Sequence, residues 1–249
     1  MPRAARKDFR SRIPLARDNR LFGETVVEAR AAGLKGENFY AGHRNPPYWG
    51  PVEGATEKLW LRRSVAEKLA RVNARAAAGG LELFLLDAWR PRSVQAYFHD
   101  VWMPRELRRR NPGLEGAALT EEVERYWAAP SDSPDSPAPH ATAAAVDLTL
   151  CWKDGRWQNG EALWMGSLFD DVTELAHRDR FENLRAENFS FSDREARANR
   201  RLLHWLMTEE GFAGHPDEWW HFSWGDQMWA ALTGAAAAHY GLASIPEAP

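Results

Sequence analysis

The chain of 249 residues contains a single cysteine, Cys151, so it cannot form an internal disulfide framework. It has no apolar run of membrane-spanning length, and its charged first eight residues lack the apolar stretch of a secretory signal. Basic residues are not in excess, since 32 Lys and Arg stand against 35 Asp and Glu, a net charge of −3. These shortages argue against nucleic-acid and membrane partners and predict a cytoplasmic protein.

Several catalytic signatures are also missing from the chain. It has no His-Glu-x-x-His helix, no Cys-x-x-Cys pair, no phosphate-binding glycine loop and no Gly-x-Ser-x-Gly motif. Tryptophan, in contrast, is abundant: many of the 13 tryptophans lie beside charged residues, which predicts a walled and partly dry cleft. The length and the 44% hydrophobic content allow a substantial core, and we expect residues 1–249 to form one domain.

Hydrophobic periodicity predicts a chain of alternating helices and strands, and the strands point to an antiparallel β-sheet. The antiparallel pairing is indicated by an Asp-Gly turn signal in 153–156, directly after a strand. In chain order the predicted elements are a strand or short helix near 25–32, a helix from a capping box at 64–67 to Gly79, a strand over 81–86, a helix from Ser93 that Pro104 bends or ends, a short helix over 120–129, a strand over 146–150, a helix from a capping box at 192–195 to Gly211, a strand-like stretch over 215–224 and a helical tail over 227–241.

His140 and Asp147 stand seven residues apart among small, apolar neighbours. Alternation over 146–150 places Asp147 and Thr149 on one face of a strand, and the proline-rich loop 130–139 leads straight to His140. The loop can fold back beside the strand, which would make the pair two-thirds of a zinc site. His221 in the aromatic stretch 215–224 is the candidate third ligand. Three nitrogen or oxygen ligands are the set that a catalytic zinc uses.

Glu218, three residues before His221, is the candidate general base for an attacking water. Because residues three apart on a regular strand face opposite ways, Glu218 must lie on the loop before the strand or across a bulge. Arg90 is the candidate group for a developing oxyanion. Each residue also has a structural alternative: Asp147 as a strand-end turn residue, Glu218 as a surface carboxylate, and Arg90 as a clamp on Asp87.

Four stretches, considered together, decide between these alternatives. They are Asp87-Ala88-Trp89-Arg90-Pro91, His140 with Asp147, Met165-Gly166-Ser167 with Phe169-Asp170, and Glu218-Trp219-Trp220-His221. In this order they resemble the D-alanyl-D-alanine dipeptidases of the vancomycin-resistance type. The resemblance runs from about residue 31 to 224. It implies the α+β architecture of zinc D,D-peptidases.

The resemblance also implies a role for each matching residue. His140, Asp147 and His221 would hold one Zn²⁺ per chain, and Glu218 would be the catalytic base. Arg90 would stabilise the transition state. Asp170 would bind the free amine of a dipeptide, which is the feature that separates a dipeptidase from a carboxypeptidase.

Two positions depart from the family pattern Ser-x-His-x-x-Gly-x-Ala-x-Asp. Ala138 stands at the Ser position and Ala143 at the Gly position. In the family that Ser helps to position the substrate's carboxylate, so its replacement affects the substrate more than the metal. A methyl group at Ala143 replaces the freedom of glycine, and we expect a slightly different loop path.

The sequence therefore predicts a zinc dipeptidase that hydrolyses D-alanyl-D-alanine or a close D,D-dipeptide. A D,D- or L,D-carboxypeptidase that acts on cell-wall peptides is one alternative. A zinc-bearing binding module of the same fold that has lost catalysis is the other.

Overall fold

The computed structural model describes residues 9–131, 133–153 and 162–246. The turn predicted at 153–156 lies almost wholly outside these residues. On either side of the gap, Cys151 and Ala162 form an isolated antiparallel bridge. The chain therefore returns antiparallel to the strand that contains Cys151.

Strands pair into two sheets in the described part of the chain. The strands are β1 (Val26–Glu28), β2 (Lys35–Gly36), β3 (Trp60–Arg62), β4 (Leu81–Asp87), β5 (Ala145–Trp152), β6 (Ala213–Gly214) and β7 (His221–Ser223). A small antiparallel sheet joins β1 and β3, and the main sheet has the order β2-β4-β5-β7-β6. The main sheet is antiparallel except at one edge, where β2 runs parallel to β4. The predicted antiparallel sheet thus has one parallel pair at its edge, which the long connection from β2 to β4, with a helix in it, makes possible.

Helices pack against this sheet. The helices of the described residues are α1 (Phe9–Arg12), α2 (Arg63–Ala77), α3 (Arg92–Ala96), α4 (Met103–Arg110), α5 (Gly116–Tyr126), α6 (Phe191–Glu209) and α7 (Gln227–Thr233). α2 contacts β4 and α6, and α6 contacts β5. The buried face of α2 carries Val65, Leu69, Val72 and Ala76, as its periodicity predicts. The α+β fold class is confirmed.

Both predicted capping boxes are wrong in position. Ser64 is the second residue of α2, and its backbone N–H and hydroxyl both donate to the carboxylate of Glu24. A side chain 40 residues earlier in the chain therefore caps α2. At α6 the capping box is formed by Ser190 and Asp193, two residues before the predicted one. The earlier start adds hydrogen-bonded residues to the helix and places Asp193 in its first turn, where a negative charge is favourable.

Pro104 does not end the helix that precedes it. Between α3 and α4, Tyr97–Trp102 has π-helical geometry, and Pro104 then lies in the first turn of α4. Proline lacks an N–H donor, and its ring would collide with a carbonyl four residues earlier in a regular helix. The wider turn removes both conflicts, so the chain continues helically to Arg110.

The remaining elements match the predictions in part. A strand and a 3-10 turn, β1 and Ala29–Ala32, occupy the stretch near 25–32. The tail is helical only as far as Thr233, because Gly234 adopts a left-handed conformation that ends α7. No described helix combines the length and apolar character needed to cross a bilayer.

Candidate metal centre and catalytic cavity

The predicted metal ligands come together where two neighbouring strands meet the turn before β5. Asp147 on β5 is directly opposite His221 on β7, so both side chains leave the same face of the sheet. His140 lies in the 3-10 turn Pro139–Thr142 that leads into β5. The ligand atoms of the three residues lie within 4.8 Å of one another, and all three side chains are buried. This arrangement is a candidate metal centre.

Each imidazole makes a hydrogen bond on the side that faces away from the other ligands, and this bond indicates which ring nitrogen carries the proton. Nδ1 of His140 lies 2.6 Å from the backbone oxygen of Ala88, which can only accept, so Nδ1 carries the proton. Nε2 of His221 lies 3.3 Å from Oγ of Ser223, whose hydroxyl donates to Asp226 at 2.8 Å. Nε2 of His221 therefore donates to that oxygen. The opposite nitrogens of the two rings, 3.1 Å apart, are left as lone-pair atoms.

The carboxylate of Asp147 faces the same two nitrogens. Its Oδ1 is 3.0 Å from Nδ1 of His221, and its Oδ2 is 3.4 Å from Nε2 of His140. Oδ1 is buried and accepts no hydrogen bond of good geometry from the described residues. Three buried ligand atoms thus face one another, an arrangement that a bound cation would stabilise. Two imidazoles and one carboxylate are a ligand set that suits zinc.

Glu218 lies in the loop between β6 and β7, where a side chain must lie if it is to serve the same cavity as His221. Its Oε2 is 3.7 Å from Nδ1 of His221, and its Oε1 is 4.0 Å from Nδ1 of His215. Burial raises the pKa of Glu218 well above its ordinary value, and the nearby charge of Asp147 adds to this effect. Glu218 therefore holds a proton at a higher pH than an exposed carboxylate does.

Arg90 contacts both a structural partner and the metal centre. Its Nε donates to Asp87 at 2.8 Å, and its Nη1 donates to Gln95 at 2.9 Å. Its Nη2 is 3.3 Å from the hydroxyl of Tyr40 and 3.3 Å from Oδ2 of Asp147. Burial disfavours the cation, but Tyr40 and Asp87 more than offset this and raise the pKa of Arg90. Arg90 therefore holds Asp87 and at the same time lies beside Asp147, a candidate metal ligand.

Asp170 lies in the same cavity on a left-handed backbone, with φ of 58°. Its Oδ2 accepts hydrogen bonds from the hydroxyls of Tyr40 and Tyr48, at 2.9 and 2.8 Å. Burial raises the pKa of Asp170 to about 7, and Asp147 adds to this effect, while the two tyrosines oppose it. Asp170 is therefore a fixed carboxyl group that ionises near neutral pH.

The two departures from the family pattern lie next to the metal centre. Ala143 adopts a left-handed conformation with φ of 56°, which costs a residue other than glycine roughly 1–2 kcal/mol. The loop thus keeps a glycine-like backbone in spite of the methyl group. Ala138 is buried and presents only a methyl group.

A cavity of about 510 Å³ joins these groups. Its lining includes the three candidate ligands together with Glu218 and Arg90. Trp127 and Trp220, both buried, form part of the wall. Aromatic walls around charged groups exclude water and strengthen electrostatic interactions inside the cavity.

Sequence reasoning missed several residues that hydrogen-bond the functional groups of the site or their partners. Tyr40 and Tyr48 lie in a stretch without clear periodicity, and Gln95 looks like an ordinary helix residue. Asp226 carries the one local signal, because an Asp directly before a helical run is a common N-cap. Asp87 was considered only as a partner for Arg90, the contact that the structure shows.

Comparison with known proteins places the chain in a family. Residues 54–239 match the profile of a family described as D-ala-D-ala dipeptidase. The D-alanyl-D-alanine dipeptidase of Synechocystis sp. is 33% identical over 186 residues, which cover 68% of this chain and 71% of the relative. The enzyme of the same name from Enterococcus faecium is 30% identical over 203 residues, covering 80% and 90%.

A solved structure of a vancomycin-resistance D,D-pentapeptidase in complex with Zn(II) aligns with 73% of this chain and 81% of its own. Its TM-score is 0.41 and its identity is 16%, which is too weak a similarity to establish a relationship. The family profile is different, because it spans most of the chain and includes every residue of the candidate metal centre. The chain therefore belongs to the D-Ala-D-Ala dipeptidase family.

Proposed function

We propose that the protein is a zinc dipeptidase that hydrolyses D-alanyl-D-alanine or a close D,D-dipeptide. One observation supports this above all: the lone-pair atoms of two histidines and one aspartate converge in a buried cavity. Glu218, Arg90 and Asp170 line the same cavity. Family membership and the names of the relatives indicate the substrate class.

Each group has a role in the proposed reaction. His140, Asp147 and His221 would hold one zinc per chain. When bound, zinc supplies a Lewis acid for the scissile carbonyl and favours deprotonation of the attacking water. Glu218 takes the proton from the water and passes it to the leaving amine. Arg90 holds the carbonyl oxygen as negative charge develops, through the Nη2 whose present contacts are both long at 3.3 Å.

Asp170 would select dipeptides over longer peptides. An ionised Asp170 can hold the ammonium group of a free N-terminus by a charge-assisted hydrogen bond. The tyrosines that donate to its Oδ2 fix the position of the carboxylate. A peptide with an acylated N-terminus would bring no cation to this buried carboxylate, which is costly.

The first prediction concerns the base. Purified wild-type protein loaded with zinc should release D-alanine from D-alanyl-D-alanine. Glu218→Gln should lower kcat by at least about 100-fold, because the variant cannot accept the proton. Zinc content, measured by elemental analysis, should stay at the wild-type level. Glu209→Gln, an exposed charge change at the end of α6, is the matched control and should leave kcat unchanged. Undiminished turnover by Glu218→Gln would exclude this mechanism.

The alternative functions give different results in the same assay. A carboxypeptidase would cleave N-acetyl-D-alanyl-D-alanine or longer wall peptides better than the free dipeptide. A binding module would contain zinc but cleave neither. The cytoplasmic location and the single domain stay predictions.

A further inference from the structure

A free dipeptide carries a carboxylate as well as an ammonium group, so its cavity must hold an anion too. This requirement rests on the proposed function. Among the described residues, the arginines that line the cavity are Arg10, Arg90 and Arg125. These arginines are the candidates for the substrate's carboxylate, because arginine pairs with carboxylates in a two-pronged geometry.

Two of the three arginines are already paired. Arg90 uses all three guanidinium nitrogens for contacts within the protein. Arg125 places Nη1 3.4 Å from Glu122, and its Nη2 lies 2.8 Å from His177. The charge of Arg125 is thus neutralised on its own helix, α5.

Arg10 differs from both. Its Nη1 donates to the backbone oxygen of Ala129 at 2.9 Å, and the structure shows no other hydrogen bond from its guanidinium to the described residues. It forms no close ion pair with them either, although Glu124 is near enough to act on its charge. Burial lowers the pKa of Arg10 and Glu124 opposes this effect. A half-buried cation that uses one of its five N–H donors for a described residue is suited to an anionic ligand.

Contacts within the protein connect Arg10 to the catalytic groups. Nη1 of Arg90 donates to Gln95, whose amide donates to the backbone oxygen of Ala128 at 2.6 Å. The next carbonyl along the chain, that of Ala129, accepts from Arg10. One short segment of backbone therefore separates Arg10 from the hydrogen-bond network of Arg90.

The helix that carries Arg10 is held in place. The side-chain amide of Gln227 on α7 donates to the backbone oxygens of Arg10 and Ile13, both at 2.7 Å. α1 also packs against α7. The position of Arg10 is thus set by the body of the protein, although α1 precedes the residues 54–239 that match the family profile.

We propose that Arg10 binds the C-terminal carboxylate of the dipeptide. The N-terminal segment then completes the substrate site from outside the residues that match the family profile. Asp170 binds one end of the substrate and Arg10 the other.

The test separates binding of a carboxylate from a merely structural role. Arg10→Met should raise KM for D-alanyl-D-alanine about 10- to 100-fold, the range expected for a lost charge-assisted contact, with little change in kcat. D-alanyl-D-alaninamide lacks the carboxylate, so the wild type should show a similarly raised KM for it and Arg10→Met no further increase. Arg10→Lys, which keeps the charge, should recover part of the loss.

Arg12→Met is the matched control. It removes the same charge from the same helix, and Arg12 is not among the residues of the described chain that line the cavity. Its KM should stay at the wild-type value. An equal loss on dipeptide and amide, or a fall in kcat with unchanged KM, would overturn the proposal for Arg10.

Failure of the proposed function would give a different result, namely no D-alanine from either compound with the wild type. In that case calorimetric titration with D-alanyl-D-alanine compares the affinities of the wild type and Arg10→Met. Equal affinities, or binding by neither protein, would overturn the proposal for Arg10.

Discussion

Asp170 combines an unusual backbone conformation, strong hydrogen-bond donors and burial. Its left-handed backbone, two tyrosine donors on one oxygen and burial are separate features that act on one carboxyl group. Asparagine tolerates the left-handed region as aspartate does, and its amide oxygen can accept both tyrosine hydroxyls. Asp170→Asn therefore removes the titration and keeps the geometry.

This substitution gives a prediction about pH and stability. The pKa of Asp170 is raised to about 7 in the folded protein, so its contribution to stability is fully present below about pH 4 and is lost as the pH rises through about 7. A raised pKa of this size corresponds to at most about 4 kcal/mol. In metal-free protein, Asp170→Asn should lose less thermal stability than the wild type between pH 5 and pH 8.

Tyr48→Phe provides the opposite comparison. It deletes a hydrogen bond that favours the ionised form of Asp170 and should make the decline with pH steeper. Melting temperatures by circular dichroism at several pH values measure both slopes. If the melting temperatures of all three proteins fell equally with pH, the folded state would not raise the pKa of Asp170, and the prediction would be wrong.

Helix starts show where local sequence patterns are ambiguous at the scale of an element. The stretch 190–195 contains two overlapping capping boxes, and α6 uses the first. Ser190→Ala should destabilise the protein by about 1 kcal/mol, because the N-cap oxygen satisfies a backbone N–H of the first turn. Ser192→Ala, the matched control, should stay within about 0.5 kcal/mol of the wild type. Urea unfolding measures both, and the reverse order would mean that α6 starts later in solution.

Strand register is the element-scale feature on which the metal centre depends. Alternation over 146–150 predicts that Asp147 projects away from the apolar face, but it does not determine which residue of another strand lies opposite. In the structure Asp147 pairs with His221 on one side and with Asp87 on the other. A slip of one residue would turn the Asp147 side chain to the other face of the sheet and separate it from His221.

The metal would act on the stability of the whole molecule. Its ligands come from the turn before β5, from β5 and from β7, so the ion would link segments some 80 residues apart in sequence. Removal of zinc with a chelator should lower Tm, and added zinc should restore it. The gain is about 4 kcal/mol when free zinc is 1,000-fold above Kd.

Variants separate this effect from catalysis. Asp147→Asn should abolish the dependence of Tm on zinc, since it removes a charged ligand. Glu218→Gln should keep it, because Glu218 is not a ligand in the proposed site. Scanning calorimetry with and without chelator distinguishes the two, and a Tm that ignores zinc in the wild type would argue against the centre.

The stretch up to about residue 51 was the least predictable part of the molecule. Its sequence shows weak periodicity, and irregular wrapping was the prediction. Yet Tyr40 and Tyr48 reach Asp170 across more than 120 residues of sequence, and Arg10 reaches the same cavity. Such contacts link segments that are far apart in sequence and depend on tertiary packing. Local periodicity therefore cannot reveal them.

The sequence alone predicted the principal helices and strands and, through its resemblance to a family, the fold class and the residues of a candidate metal centre with a candidate base beside it. Those features follow from local periodicity and from the chemistry of a few side chains in a fixed order. Tertiary structure decided which caps are used, that β2 runs parallel, and that Asp147 meets His221. It also decided which nitrogen of each histidine carries the proton, and that Arg10 remains unpaired within the described residues. These depend on register and on contacts between distant segments, which only the packed chain specifies.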